Sequence, residues 1–229
     1  SSLALVLTVK ESNNLGDTVV INGTLALDGS PVSDGLVSIQ VNDPRGDNPD
    51  NLFIMRVLST GTTPLGPWSV EILDFYTCDM DGNPRSSFSR GGSIGFKVTV
   101  KNNDATSHYV KVMLTLYFSN GIRFAVVPMM DKWMDPYLPE SKISYLQNFI
   151  PEDAPTGTSY AYAVAINNWT QYNGVAWCPE KQAAFTIKAS GGGLGTAAAT
   201  NPSYSISSTP GILNTTVRTS AYGGRLGNY

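Results

Sequence analysis

The sequence predicts an all-β protein made of two β-sandwiches, the first short of strands. Three observations carry that prediction. Runs of four to ten residues with period-two alternation, rich in Val, Ile, Tyr and Phe, recur from end to end. Turn-forming Asp, Asn, Gly and Pro cluster between the runs. The strands do not alternate with long helical patterns, which removes the β-α-β architectures.

The runs fall into two series. Leu3–Val9 is densely apolar. Asp17–Leu27, Leu36–Val41 and Leu52–Leu58 follow. A Pro/Gly/Thr cluster at Thr60–Pro67 separates these from Trp68–Phe75, Ser93–Val100, Tyr109–Phe118, Ile122–Val127, Ser159–Ile166 and Ala183–Lys188. Asp28-Gly29, Asp34-Gly35, Asp81-Gly82, Asn120-Gly121 and Pro155-Thr156-Gly157 supply the turns. Asn120-Gly121 is the strongest hairpin signal, because a type I′ turn needs positive φ at both central positions. A short helix is expected around Ser141–Phe149. The second series has the strand complement of an immunoglobulin-like sandwich; the first has four strands. The predicted organisation is residues 1–66, 67–189 and a tail, 190–229.

Composition narrows the function. The 229 residues carry a net charge of −3, and only 14% are charged. A typical soluble domain has about 25%. Neutral polar residues replace Lys and Glu, as on exported proteins. No basic footprint for nucleic acid exists, and no apolar run is long enough to span a membrane. Leu3–Leu7 is too short for a signal-peptide core, so a mature chain is expected.

Two stretches carry a resemblance. GDTVVINGTLALDGSPVSDGLVSIQVNDPRG (16–46) resembles the Ig-like modules of archaeal and bacterial secreted surface proteins. GGSIGFKVTVKNND (91–104) and YVKVMLTLYFSNG (109–121) are similar to adhesion-type Ig-like domains of the same organisms. The resemblance covers about residues 17–188 and implies an Ig-like fold and an extracellular location.

The tail differs from the body. Residues 190–229 contain two arginines and no acidic residue, whereas the body holds 13 basic and 18 acidic residues. Tyr204 and Ile206 alternate with serines, Thr209-Pro210-Gly211 is a turn signal, and Ile212, Leu213 and Val217 lie in a second strand-like run. An incomplete sandwich has unpaired edges, and an orphan strand on a tether can complete it by strand addition. Ser190–Pro202 spans ~40 Å when extended, which permits completion within the chain or in a second copy. The N-terminal run is the rival donor: Leu3, Leu5 and Leu7 face one way, Ala4 and Val6 the other. The other reading of this run is the first strand of its own domain. The resemblance implies that the N-terminus is often the donor in archaeal filaments joined by strand exchange, and the direction of any exchange stays open. A contact of this type between copies is head-to-tail and propagates. The expected function is therefore a structural subunit of an extracellular filament or surface array. The alternative is a monomeric carbohydrate-binding or adhesin module.

Site signals are few. Cys78 and Cys178 are the only cysteines, and an exported chain implies a disulfide between them, with two buried free thiols as the alternative. Asn22, Asn168 and Asn214 head N-glycosylation sequons, about as many as composition produces by chance. Asp79–Asn83 lacks the spacing of a calcium loop. Asp43, Asp47 and Asp50 read as a solvated loop, with Arg45-Gly46-Asp47 inside it. His108 is the sole histidine, and no metal cluster or phosphate loop is present, so no cofactor, metal or catalytic residue is expected. Asp131, Asp135, Glu140, Glu152 and Asp153 are carboxylates of a surface region. Trp133 and Trp177, with Tyr137, Trp169 and Tyr172 nearby in sequence, are candidates for a sugar-stacking face.

Overall fold

The computed structural model describes residues 2–9, 18–42, 52–61, 66–190, 204–206 and 212–218. Among them the regular structure is β, apart from one 3-10 turn at Thr170–Tyr172. The first strands are β1 (Leu3–Val9), β2 (Thr18–Leu27), β3 (Ser30–Pro31), β4 (Leu36–Asn42) and β5 (Leu52–Ser59). Then come β6 (Val70–Cys78), β7 (Ser87–Ser89), β8 (Ile94–Asn102), β9 (His108–Tyr117), β10 (Arg123–Met134) and β11 (Pro139–Leu146). β12 (Gly157–Ile166), β13 (Lys181–Lys188), β14 (Tyr204–Ile206) and β15 (Ile212–Arg218) complete the series.

They form four sheets. Sheet A runs β1-β2-β15-β14, with β3 also on β2; sheet B is the β4-β5 ribbon; sheet C runs β11-β8-β6; sheet D runs β10-β9-β12-β13-β7. Sheets C and D enclose the largest core. Ile94, Phe96, Val98 and Val100 of β8 and Val110, Val112, Leu114 and Leu116 of β9 are all 0% exposed and belong to one cluster. The inward positions are two apart on each strand, as the pleat requires. Burying one such side chain contributes ~1.5–3 kcal/mol.

Sheet B is packed on both faces. Val37, Ile39, Ile54 and Leu58 meet Ile21 and Leu25 of β2. Leu52, Met55 and Val57 meet Met113, Val164 and Ile166 on the outward face of sheet D. The layers therefore stack in the order A, B, D, C. Polar contacts pin the B–D junction. Met55 donates its N–H to Thr115 Oγ1 at 3.1 Å, and the same hydroxyl donates to Met55 O at 2.8 Å.

Three local expectations are corrected. Ser141–Phe149 is not helical: β11 covers Pro139–Leu146 and pairs with β8 from Pro139↔Lys101 to Leu146↔Ile94. Edge pairing on β8 overrides the local pattern. Asn120-Gly121 is not a type I′ turn, since only Gly121 has positive φ, at 78°. Phe118 accepts from Gly121 and donates to Ile122, which makes a three-residue loop ending in a left-handed glycine. The type I′ geometry falls instead at Asp28-Gly29, with φ of 49° and 80°, between β2 and β3. Finally, the strand expected to end at Val127 continues to Met134: β10 runs through Pro128, where a register shift between Pro128 and Met130 accommodates the missing N–H.

Candidate functional site

β1 is the most unusual element. All seven of its residues are exposed, although five are Leu or Val. Leu3 is 65% exposed, Val6 60%, Leu7 49%, and Leu5 and Val9 44% each. The register runs from Leu3↔Leu27 to Val9↔Ile21. Leu5 stands opposite Leu25, Leu7 opposite Gly23 and Val9 opposite Ile21, so these residues are on the core side of sheet A. Their β2 partners are buried beneath sheet B. Sheet B has two strands and sheet A is wider, so the covering ends before it reaches β1. Ala4 and Val6 face the opposite, solvent side. β1 thus presents apolar side chains on both faces and, among the described residues, pairs with β2 alone.

The tail takes the other edge of β2. β15 pairs antiparallel with β2 from Ile212↔Thr24 to Arg218↔Thr18, and β14 pairs with β15. Leu213 and Val217 stand opposite Gly23 and Val19, Ile212 opposite Thr24. Tyr204 and Ile206 stand opposite Thr215 and Leu213. The exposure of β14 and β15 side chains lies outside what the structure describes. The orphan tail strands are therefore paired within their own chain, on its first sheet.

Aromatic residues gather at the far end of sheet D. Trp133 and Tyr109 are cross-strand partners on the outward face, because Met134 and Val110 beside them enter the C/D core. Their rings meet edge to face at 5.5 Å and 74°. Two pairs along, on the same face, Lys111 donates to Asp131 Oδ1 at 2.6 Å. Lys111 Nζ lies 5.1 Å from the Tyr109 ring and 5.3 Å from the Trp169 ring. A hydrogen bond to Asp131 raises the Tyr109 phenol above its usual range. Trp133 is 63% exposed. Trp177 does not share this face. It packs against the C/D core, lies 4.7 Å from the His108 ring and donates its indole N–H to Tyr109 O at 3.1 Å. The two candidate tryptophans are separated by sheet D.

The cysteines are far apart. Both are buried free thiols. Cys178 hydrogen-bonds the backbone at Ile72, six residues along β6 from Cys78, or roughly 20 Å at strand rise. A disulfide needs Cα atoms within ~7 Å, so the expected bridge is not formed. Burial pushes the Cys178 thiol up to about 11, and burial likewise raises Cys78.

The remaining candidates resolve into local structure. Asp79 Oδ1 accepts the N–H groups of Asp81 at 3.0 Å and Asn83 at 2.9 Å, so this carboxylate caps its own turn. His108 Nε2 lies 2.7 Å from Asp104 Oδ2. The Ser69 hydroxyl bonds the Asp104 carboxylate rather than the imidazole, and with His108 holds that carboxyl below its usual range. Asp131 and Glu140 are each taken by a lysine, Lys111 and Lys132. Among the described residues no cluster of His, Cys, Asp or Glu is arranged to hold a metal ion, and no helix is long and apolar enough to cross a membrane. Asn22 is exposed on β2 and stands opposite Asn214 in the register. Asn168 is half-buried, and its side-chain oxygen accepts the Trp169 N–H at 2.9 Å. Asp43, Arg45, Gly46, Asp47 and Asp50 lie outside the described residues.

One buried ion pair was not foreseen. Arg56 of β5 forms a two-pronged pair with Glu180, with Nε to Oε2 at 2.8 Å, and their side chains are 7% and 9% exposed. The guanidinium carbon lies 3.5 Å from the Tyr162 ring centroid. Glu180 also accepts the Val57 N–H at 3.0 Å. Burial opposes the charge on Arg56, but the Glu180 carboxylate more than offsets it and the group is held firmly protonated.

No family model and no curated protein matches the chain. Several solved structures resemble part of it. A Pseudomonas fluorescens alkylpurine DNA glycosylase, AlkC, bound to DNA containing an abasic site analog, is 12% identical over 54% of this chain and 32% of its own, with a TM-score of 0.41. The C-terminal domain of wzt is 10% identical over 62% of this chain and 86% of its own, with a TM-score of 0.45. A Niemann-Pick type C2 protein from Japanese carpenter ant is 12% identical over 54% of this chain and 96% of its own, with a TM-score of 0.34.

Proposed function

We propose that this chain is a structural subunit of an extracellular filament or surface array. It consists of two Ig-like sandwiches divided near residue 66, and its copies join head-to-tail through strand complementation. β1 is the donor. The observation that carries this reading is the exposure of β1, whose Leu3, Leu5, Val6, Leu7 and Val9 are 44–65% exposed on an edge strand. A long apolar edge strand attracts further chains. A second copy that covers β1 buries side chains worth ~1.5–3 kcal/mol each. The tail favours the N-terminal donor, because β15 already closes the other edge of β2. Low overall charge supports export, and exposed Asn22 is then available to an N-linked glycan.

Two truncations test the donor assignment. A variant lacking residues 2–9 stays monomeric by multi-angle light scattering under conditions where the full chain assembles. A variant lacking residues 196–229 loses stability by uncovering β2. Full assembly without residues 2–9 contradicts the proposal.

A further inference from the structure

We propose that the outward face of sheet D around Trp133 is a binding site for neutral saccharides, separate from the assembly strand. The face is built by register. Trp133↔Tyr109 and Asp131↔Lys111 are consecutive same-face pairs of β10 and β9. Further along β9, Met113 and Thr115 are covered by β5, which ends the open area.

Each component has a chemical consequence. Trp133 offers a broad apolar ring that is 63% exposed, and edge-to-face packing on Tyr109 fixes its angle. Exposed rings of this kind stack on the C–H face of a pyranose. Asp131 is 56% exposed on its side chain, beside that ring. Its carboxylate has about four lone-pair directions. Lys111 and the Tyr109 hydroxyl occupy two of them, and the others can accept sugar hydroxyls. Lys111 is held between the Tyr109 and Trp169 rings, with its side chain only 11% exposed, so the carboxylate is fixed before a ligand arrives.

Charge selects the ligand class. Asp131 is balanced by Lys111, and neighbouring Glu140 by Lys132 at 2.7 Å. A phosphate backbone needs unpaired cations, and this face has none to offer among these groups. A neutral hexose chain needs a ring platform and a fixed acceptor, and both are present.

The test is calorimetric titration of the full chain with neutral hexasaccharides of glucose, mannose and N-acetylglucosamine. At least one is expected to bind. Trp133→Ala should weaken it about tenfold or more, as for an aromatic anchor, and Trp133→Phe should retain part of the affinity. Asp131→Asn should weaken it less. Unchanged melting temperatures exclude unfolding as the cause. Leu5→Lys, which blocks assembly in the reading above, should leave sugar binding intact, so the two proposals fail separately. Absence of binding to all three sugars, or undiminished binding by Trp133→Ala, overturns the site. So does loss of assembly in Trp133→Ala without any sugar binding, which makes the face a contact between copies.

Discussion

Leu5 of β1 and Leu25 of β2 stand directly opposite each other in one sheet, yet Leu5 is 44% exposed and Leu25 only 6%. The difference has one cause. The β4-β5 ribbon covers β2 and ends before β1. Neighbouring leucines on one face of one sheet therefore have opposite roles, one holding the fold and one facing outward.

That contrast is measurable by mutation. Leu25→Ala removes buried methyl groups and should cost about 2–5 kcal/mol in chemical denaturation. Leu5→Ala should change stability by less than about 0.5 kcal/mol, as at ordinary surface positions. Equal costs at both positions would mean that β1 is covered within its own chain.

Arg56 and Glu180 fasten sheet B to the end of sheet D. Arg56→Ala leaves the Glu180 carboxylate buried without its guanidinium partner. Removing one member of a buried pair typically costs about 3–5 kcal/mol. The double variant Arg56→Met, Glu180→Gln should recover much of the loss, read as a double-mutant cycle in urea. A double variant as unstable as Arg56→Ala would place the energy in packing rather than in the pair.

Acid should weaken the chain partly through Asp104. Ser69 and His108 hold its folded carboxyl below the usual range. A group depressed on folding stabilises above its unfolded value, ~3.9, and loses that contribution as pH falls through the folded value. Asp104→Asn should therefore show a shallower fall in melting temperature below pH 4 than the parent. Parallel curves would remove Asp104 from the acid response.

Thiol chemistry checks the cysteines. With burial raising both, and Cys178 pushed up to about 11, neither should react with a thiol reagent at pH 8 in the folded protein. Both should react after denaturation without reductant. A denatured mass with no modification would establish a bridge.

Much of the fold was legible because strand periodicity is local. β1 matches its predicted limits, and most of the other long strands fall within a few residues of theirs; β10 is the exception, running on from the expected end at Val127 to Met134. What failed was decided by distant partners. Ser141–Phe149 carries apolar residues at Ile143, Leu146 and Phe149, a helical spacing, but pairing with β8 settles it as a strand. Arg56 sits inside an apolar run, and its partner is 124 residues away. Trp133 and Trp177 are alike in type but not in place: Trp133 lies on the outward face of β10, whereas Trp177, in the loop before β13, packs against the C/D core. The tail strands were readable, and their partner β2 was not, since a register is a relation between segments. Lys111 and Asp131 had no sequence signal beyond alternation on β9 and β10.

The proposed joining of one copy to the next through β1 has a simple test. Negative-stain images of the full chain should be compared with those of the variant Leu5→Lys, Leu7→Lys. The expected result is filaments or linear arrays for the parent and single particles for a variant of unchanged melting temperature. Filaments from both, or single particles from both at high concentration, would contradict it.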